Sequence, residues 1–425
     1  MKTETILMMD TSCIKYGFGA TREVGFEMRE TGARRVMVLT DPRLAGSEAV
    51  STALESLRDA GIDAVLYDQV HIEPTDRSFK HAIDFATDGG FDGYVAVGGG
   101  STMDTAKAAN LYATYPADFL AFVNPPIGKG QPVPGKTKPL IAIPTTAGTG
   151  SETTGVAIFD LTEMQAKTGI ASRMIRPVMG IVDPLNTMNL PPMVTACSGL
   201  DVICHALESM TALPYQQRPA PESPRLRPAY QGANPISQIW ASKAVEMGTK
   251  NLLRLLDHPD DQEARAEMML AATYAGIGFG NAGVTLPHGM SYPVSGKVRQ
   301  YVPPDYPDDH PIVPHGMSVI LNAPAVFRFT AQSNPQLHLY AASLMGVDIS
   351  EARPEQAGDL LAGAVIKLMR KCGIPNGLKA VGYTVQDVET LVEGTLPQHR
   401  VTKLSPRPAT AVDLVQLFMD SMTIW

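Results

Sequence analysis

The chain has 425 residues, 44% of them apolar and 18% charged, which is enough for two domains with substantial cores and too little charge for disorder. Acidic residues outnumber Lys and Arg by 43 to 35, for a net charge of −8; this excludes the basic surface that phosphate-backbone binding requires. No apolar run approaches the roughly 20 residues of a membrane span, so neither nucleic acid nor membrane is an expected partner.

The first residues, MKTETILMMD, reach Glu4 and Asp10 too early for an Arg-rich transit peptide. They also lack the apolar core and small-residue cleavage site of a signal peptide. Cys13, Cys197, Cys204 and Cys372 are scattered with no CxxC pair, the pattern of reduced thiols. Together these features predict a cytoplasmic protein.

Apolar, β-branched runs at 36–39, 64–67 and 94–97 recur at about thirty-residue intervals, the length of a βαβ unit. Between them Ala53, Leu54 and Leu57 share one helical face, as do Phe79, Ala82 and Ile83. Further strands are expected at 140–143 and 179–182. This predicts an α/β domain over residues 1–190, a Rossmann-like parallel sheet covered by helices. Beyond Leu190-Pro191-Pro192 helical patterns dominate, at 194–212, 235–256, 260–280, 352–372 and 410–424, so residues 191–425 are expected to form an all-α domain. Two Pro-rich segments, 214–235 and 301–314, interrupt it. They are either solvated linkers or long loops over an active site, and loops of this length are often functional.

The strand at 94–97 runs into Gly98-Gly99-Gly100-Ser101 and then a helical stretch, STMDTAK. Glycines admit an anion close to the backbone, and a helix N-terminus offers free N–H groups with partial positive charge. Ser101 suits the N-cap, and Asp104 belongs to the same motif. Gly278-Phe279-Gly280-Asn281-Ala282-Gly283 also spells GxGxxG, but it follows a helix rather than a strand, so it reads as close helix packing or a bend. Asp41, at the end of the strand 36–39, is either the cap of a turn or an acid that accepts from an adenosine ribose. A hydroxyl-rich loop, PTTAGTGSE from Pro144 to Glu152, leaves the strand 140–143 on the side where open α/β sheets bind ligands.

In SGLDVICHALES, Asp201 and His205 lie four residues apart on one helical face. Taken alone they are an ordinary helix pair. His288 and His315, however, occur in matching Pro-His-Gly-Met contexts. One Asp and three His suit a divalent metal, Fe2+ or Zn2+. The absence of HExxH argues against a metalloprotease of that type.

GGGSTMDTAK, PTTAGTGSETT, the Asp201/His205 helix and the two PHG histidines together resemble the iron-containing (group III) alcohol dehydrogenases over nearly the whole chain. The resemblance implies a dehydroquinate synthase-like architecture, with a Rossmann-like domain, a helical domain and a cleft between them. It implies NAD on Gly98, Gly99, Gly100 and Ser101, with Asp41 on the adenosine ribose and Thr145, Thr146, Thr149 and Lys167 toward the nicotinamide. It assigns the metal to Asp201, His205, His288 and His315. Many members carry a further histidine four residues after the first PHG histidine; this chain has Tyr292 there, so the proton leaves through Tyr292 or through cofactor ribose and water.

The stretches AANLYA, PIGKGQPV, RPAYQGANPIS and GTLPQHRVTKLSP are similar to a branch of the family that passes hydride from a hydroxyacid (4-hydroxybutyrate type) to an oxoacid (2-oxoglutarate type) through retained NAD. The alternatives are an alcohol or hydroxyacid dehydrogenase with exchangeable NAD, and a lyase or cyclase on the same scaffold. Carboxylate substrates need cations. Arg218, Arg225, Arg227, Lys297 and Arg299 are candidates, with Arg227 favoured from its place in RPAYQG. The expected assembly is a homo-oligomer, a dimer.

Overall fold

A computed structural model describes residues 3–164, 166–306 and 310–425. Residues 307–309 of the second Pro-rich segment lie outside that set. Contacts divide the chain into two units, Thr11–Asn189 and the remainder.

In the first unit, strands β1 (Cys13–Tyr16), β2 (Arg35–Leu39), β3 (Asp63–Tyr67), β4 (Gly93–Gly98), β5 (Leu140–Pro144) and β8 (Met179–Val182) form one parallel sheet in the order β1-β8-β5-β4-β2-β3. Helices α1 (Val24–Glu30), α2 (Glu48–Asp59), α3 (Asp76–Gly89) and α4 (Gly100–Thr114) supply the crossovers. The sheet is buried on both faces. Val36, Val38, Val95 and Ile143 pack against α1 and α2, while Met37, Leu39, Tyr94 and Ala96 meet α3 and α4. This two-sided burial is why these strands read as continuous apolar runs. The sequence reading missed β1, a short, partly exposed strand, and the antiparallel hairpin β6 (Val156–Leu161) and β7 (Ala166–Ala171). Lys167, Thr168 and Gly169 interrupt the apolar pattern that would have marked β7.

The second unit is helical: α5 (Pro192–Thr211), α6 (Pro235–Asp257), α7 (Gln262–Ala282), α8 (Leu286–Gly296), α9 (His315–Ile320), α10 (Ala323–Thr330), α11 (Pro335–Leu344), α12 (Ala357–Lys371), α13 (Val388–Thr395), α14 (His399–Thr402) and α15 (Ala411–Met422). Helix α5 is buried on all sides from Thr195 onward apart from Ser198, and the polar residues Asp201, His205 and Glu208 on one of its faces are buried with it. Gly278 and Gly280 lie within α7, where a Cβ on Gly278 would come within 3.3 Å of Ser237 O on α6, the close helix approach expected of the stray GxGxxG.

The expected boundary needs a correction at its start. The described residues through Asp10 join the helical unit, not the α/β unit. Their hydrogen bonds explain it: the Glu4 amide donates to Arg218 O (2.8 Å), the Met8 amide to Gln231 Oε1 (2.9 Å) and the Asp10 amide to Asn281 Oδ1 (3.1 Å). The first Pro-rich segment is therefore no free linker. Its ends are bridged at Pro214 and Ala233, and Pro219 pairs with Thr3.

Candidate metal centre and phosphate-binding loop

In the helical unit, helix α9 packs on both α5 and α8, and the three helices bring together the four metal candidates. Ligand atoms of Asp201, His205, His288 and His315 all lie within 4.8 Å of one another. Asp201 Oδ1 is 3.6 Å from His288 Nε2 and 3.9 Å from His315 Nε2, and Asp201 Oδ2 is 3.8 Å from His205 Nδ1. Bonds of about 2.1 Å to one centre place neighbouring ligands roughly 3–4 Å apart. Asp201 Oδ1 and His288 Nε2 are fully shielded from solvent and have no hydrogen-bond partner among the described residues. Leaving two such atoms unmet is costly, and a divalent cation satisfies both, so the donor set fits a metal. His315 is partly exposed, at 28% of its side chain, so the cluster is not sealed as a purely structural site would be.

Local packing fixes each ligand. A Cβ on Gly316 would fall 2.1 Å from Cys197 O, so only glycine lets the start of α9 press against α5 and set His315 beside Asp201. The His205 ring stacks on Phe279, with centroids 4.0 Å apart, and on His288 at 4.6 Å. Glu208, fully buried on α5, holds His288: its Oε1 is 2.5 Å from Nδ1, while Oε2 accepts the Thr285 amide at 2.6 Å. A carboxylate at Nδ1 keeps the proton there and turns the Nε2 lone pair toward the cluster. Burial alone would raise the Asp201 carboxyl, but His205, His315 and His288 overcome it and hold the group well below the usual carboxylate range. Burial likewise opposes charge on His288, yet Glu208 and Asp201 push its imidazole up to about 10. A metal must displace that proton.

Sequence reasoning missed Glu208. The signal was present, because Asp201, His205 and Glu208 at i, i+4 and i+7 share one face of α5.

In the α/β unit, β4 ends at Gly98 and α4 begins at Gly100 with Gly99 as its N-cap. The expected Ser101 cap is thus corrected: the helix starts two residues earlier because Gly99 adopts the extended cap conformation. The Ser101 hydroxyl instead accepts the Glu73 amide at 3.1 Å. The two loops named from sequence meet here. A Cβ on Gly100 would lie 2.7 Å from Thr149 Cγ2, and one on Gly99 would lie 3.5 Å from Thr146. The Thr145 amide donates to Gly98 O at 3.1 Å. The bare glycine backbone leaves a cradle at a helix N-terminus suited to a pyrophosphate.

Asp104 points inward, accepting from Ser151 Oγ (2.8 Å) and the Ile158 amide (2.9 Å). Beside it is a residue the sequence reading overlooked. Lys107 is fully buried and donates to Ser151 O (2.8 Å) and Val156 O (2.9 Å), tying α4 to the end of the hydroxyl-rich loop. Asp41 is buried just beyond β2, and its Oδ1 accepts the amides of Arg43 (3.0 Å) and Leu44 (3.3 Å), the turn-capping role. Lys167 is buried on β7 between Glu73 and Asp160.

The candidate cations are mostly engaged elsewhere. Arg227 Nε donates to Glu4 Oε2 at 3.0 Å, and the cavity of about 610 Å³ that it lines shares no residue with the metal cluster. Arg299 pairs with Asp387 at 2.8 Å, and Arg218 donates to Tyr230 O. Tyr292 is buried one turn beyond His288 on α8, and its hydroxyl accepts from Arg400 Nη2 at 2.6 Å.

Residues 12–184 match the family model described as iron-containing alcohol dehydrogenase, and residues 229–422 match its Fe-containing C-terminal counterpart. Over its full length the chain is 54% identical to proteins named "Hydroxyacid-oxoacid transhydrogenase, mitochondrial" from Bos taurus and Homo sapiens, covering 91% of each. These names overturn the expected cytoplasmic location. Among solved structures, a 1,3-propanediol oxidoreductase superposes with a TM-score of 0.86 at 25% identity, covering 98% of this chain and 100% of that one. An archaeal alcohol dehydrogenase from a Red Sea brine pool superposes with a TM-score of 0.85 at 25% identity, covering 99% and 100%.

Proposed function

The chain belongs to the iron-containing alcohol dehydrogenase family, and from that premise we propose that it passes hydride from a hydroxyacid of the 4-hydroxybutyrate type to an oxoacid of the 2-oxoglutarate type, with retained NAD as carrier and Fe2+ as the ion. The buried cluster of Asp201, His205, His288 and His315 carries the reading, in a chain that shares more than half its residues with proteins named for that reaction.

These four residues would hold a divalent ion, which would lower the pKa of a substrate hydroxyl and polarise the matching carbonyl. NAD supplies the hydride chemistry. The remaining tasks fall to side chains and backbone of this chain. Glu208 holds the tautomer of His288. Gly98, Gly99 and Gly100, with Ser101, take the pyrophosphate, and Asp41 uses its second carboxylate oxygen for the adenosine ribose. Thr145, Thr146 and Thr149 line the nicotinamide side. The internal bonds of Asp104 and Lys107 support a role in holding that loop in place. The pairing of Lys167 with Glu73 and Asp160 supports a role in positioning β7 rather than direct contact. Tyr292 holds the proton exchanged with the substrate hydroxyl.

The test gives purified, metal-loaded protein a hydroxyacid and an oxoacid without free NAD. Sustained exchange is expected, together with nicotinamide released on denaturation. Turnover that depends wholly on added NAD would move the chain to the dehydrogenase reading, and no redox exchange under either condition would end both. Reconstitution with Fe2+ against Zn2+ identifies the working ion.

A further inference from the structure

We propose that Arg400, set beside Tyr292, is the specificity-determining residue that receives the carboxylate of the substrate. This rests on the hydroxyacid reading above and names the side chain that separates an acid from a plain alcohol.

The placement comes from packing. Arg400 lies on α14, a short helix pressed onto α8, the helix that carries His288. A Cβ on Gly289, the residue after that histidine, would lie 2.9 Å from Thr402 Cγ2 and 3.3 Å from Val401 Cγ2. Arg400 Nη2 donates to the Tyr292 hydroxyl, four residues past His288 and thus on the same helical face. The guanidinium stands over the Tyr230 ring, 5.0 Å from its centroid. Arg400 is therefore anchored one turn from a metal ligand by two aromatic residues.

One of its donors is unspent. Nη1 has no solvent contact and no hydrogen-bond partner, and no carboxylate pairs with Arg400 among the described residues. Three other arginines considered for the substrate are already committed: Arg227 to Glu4, Arg299 to Asp387 and Arg218 to Tyr230 O. A planar guanidinium whose Nη1 edge is desolvated and unpaired suits a carboxylate, which accepts from two donors at once. Leaving that edge unmet costs free energy that an acid substrate restores and an alcohol does not.

The test uses holoenzyme with NAD in excess and follows reduction of the nicotinamide in a single turnover by 4-hydroxybutyrate and by 1-butanol. Arg400→Met is expected to lower the apparent affinity for the acid roughly 100-fold and that for butanol less than about threefold. Added guanidinium ion is expected to restore part of the acid reaction only. Arg400→Lys keeps a charge at the site and is expected to lose about tenfold on the acid alone; it carries the test if the Met variant does not fold. Equal losses on both substrates, or none on either, would overturn the assignment. A wild-type enzyme with no preference for the acid would instead overturn the hydroxyacid reading, and the subsite with it.

Discussion

Glu208→Gln probes how the metal cluster is held, with a change of a single atom. The carboxylate accepts from His288 Nδ1 at 2.5 Å and from the Thr285 amide at 2.6 Å, in a place with no access to water. An amide satisfies only one of these. With its oxygen toward His288, its NH2 meets the Thr285 N–H, donor against donor. Flipped, it donates to Nδ1, which drives the imidazole proton onto Nε2 and removes the lone pair that faces Asp201. Each arrangement leaves a buried group unmet, at about 1–3 kcal/mol. Loss of a partner that orients a ligating histidine lowers metal affinity about 10–100-fold. Competition with a chromogenic chelator for Zn2+ measures this directly, with a melting curve to establish that the variant is folded. NAD titration serves as the control, since the glycine turn lies in the other unit. A folded variant that binds the ion within about twofold of wild type would refute the reasoning.

Two further predictions concern the α/β unit. Burial pushes the ammonium of Lys107 from 10.5 down to about 8, with Asp104 and Glu152 pulling it back. The unfolded chain therefore binds more protons between those pH values, and stability rises with pH across that window by about 3 kcal/mol, at about 1.4 kcal/mol per unit. Denaturant titrations from about pH 8 to 10.5 are expected to show this rise in wild type and not in Lys107→Met; parallel curves would exclude it. Gly100→Ala places a methyl group 2.7 Å from Thr149 Cγ2. The strain of about 1–3 kcal/mol is expected to weaken NAD binding about tenfold or more by calorimetry, with metal affinity unchanged.

The parallel sheet was legible because strands buried on both faces show as unbroken apolar runs, as Val36 to Leu39 and Tyr94 to Val97 do. The five helices expected from apolar spacing also lie close to where periodicity put them. Helix α8 escaped notice because Pro287, Gly289, Pro293 and Gly296 all argue locally against a helix, and tertiary packing overrides them. The metal ligands were readable from residue type and the repeated Pro-His-Gly-Met context. Their supports were not. A Glu on a helix or a Lys near a glycine turn reads as surface charge until the fold shows what closes around it, and Glu208 and Lys107 are both fully buried. The choice of Arg227 failed to anticipate Glu4, a partner 223 positions away that local sequence cannot reveal.

The bonds made by the first residues bear on how this chain matures during synthesis. Met8 finds its mate 223 positions later and Asp10 finds its mate 271 positions later, whereas the sheet unit runs uninterrupted from Thr11 to Asn189. On the ribosome that unit can finish while the opening segment still waits for Gln231 and Asn281 to emerge. Residues made before the sheet unit are thus locked in place after it.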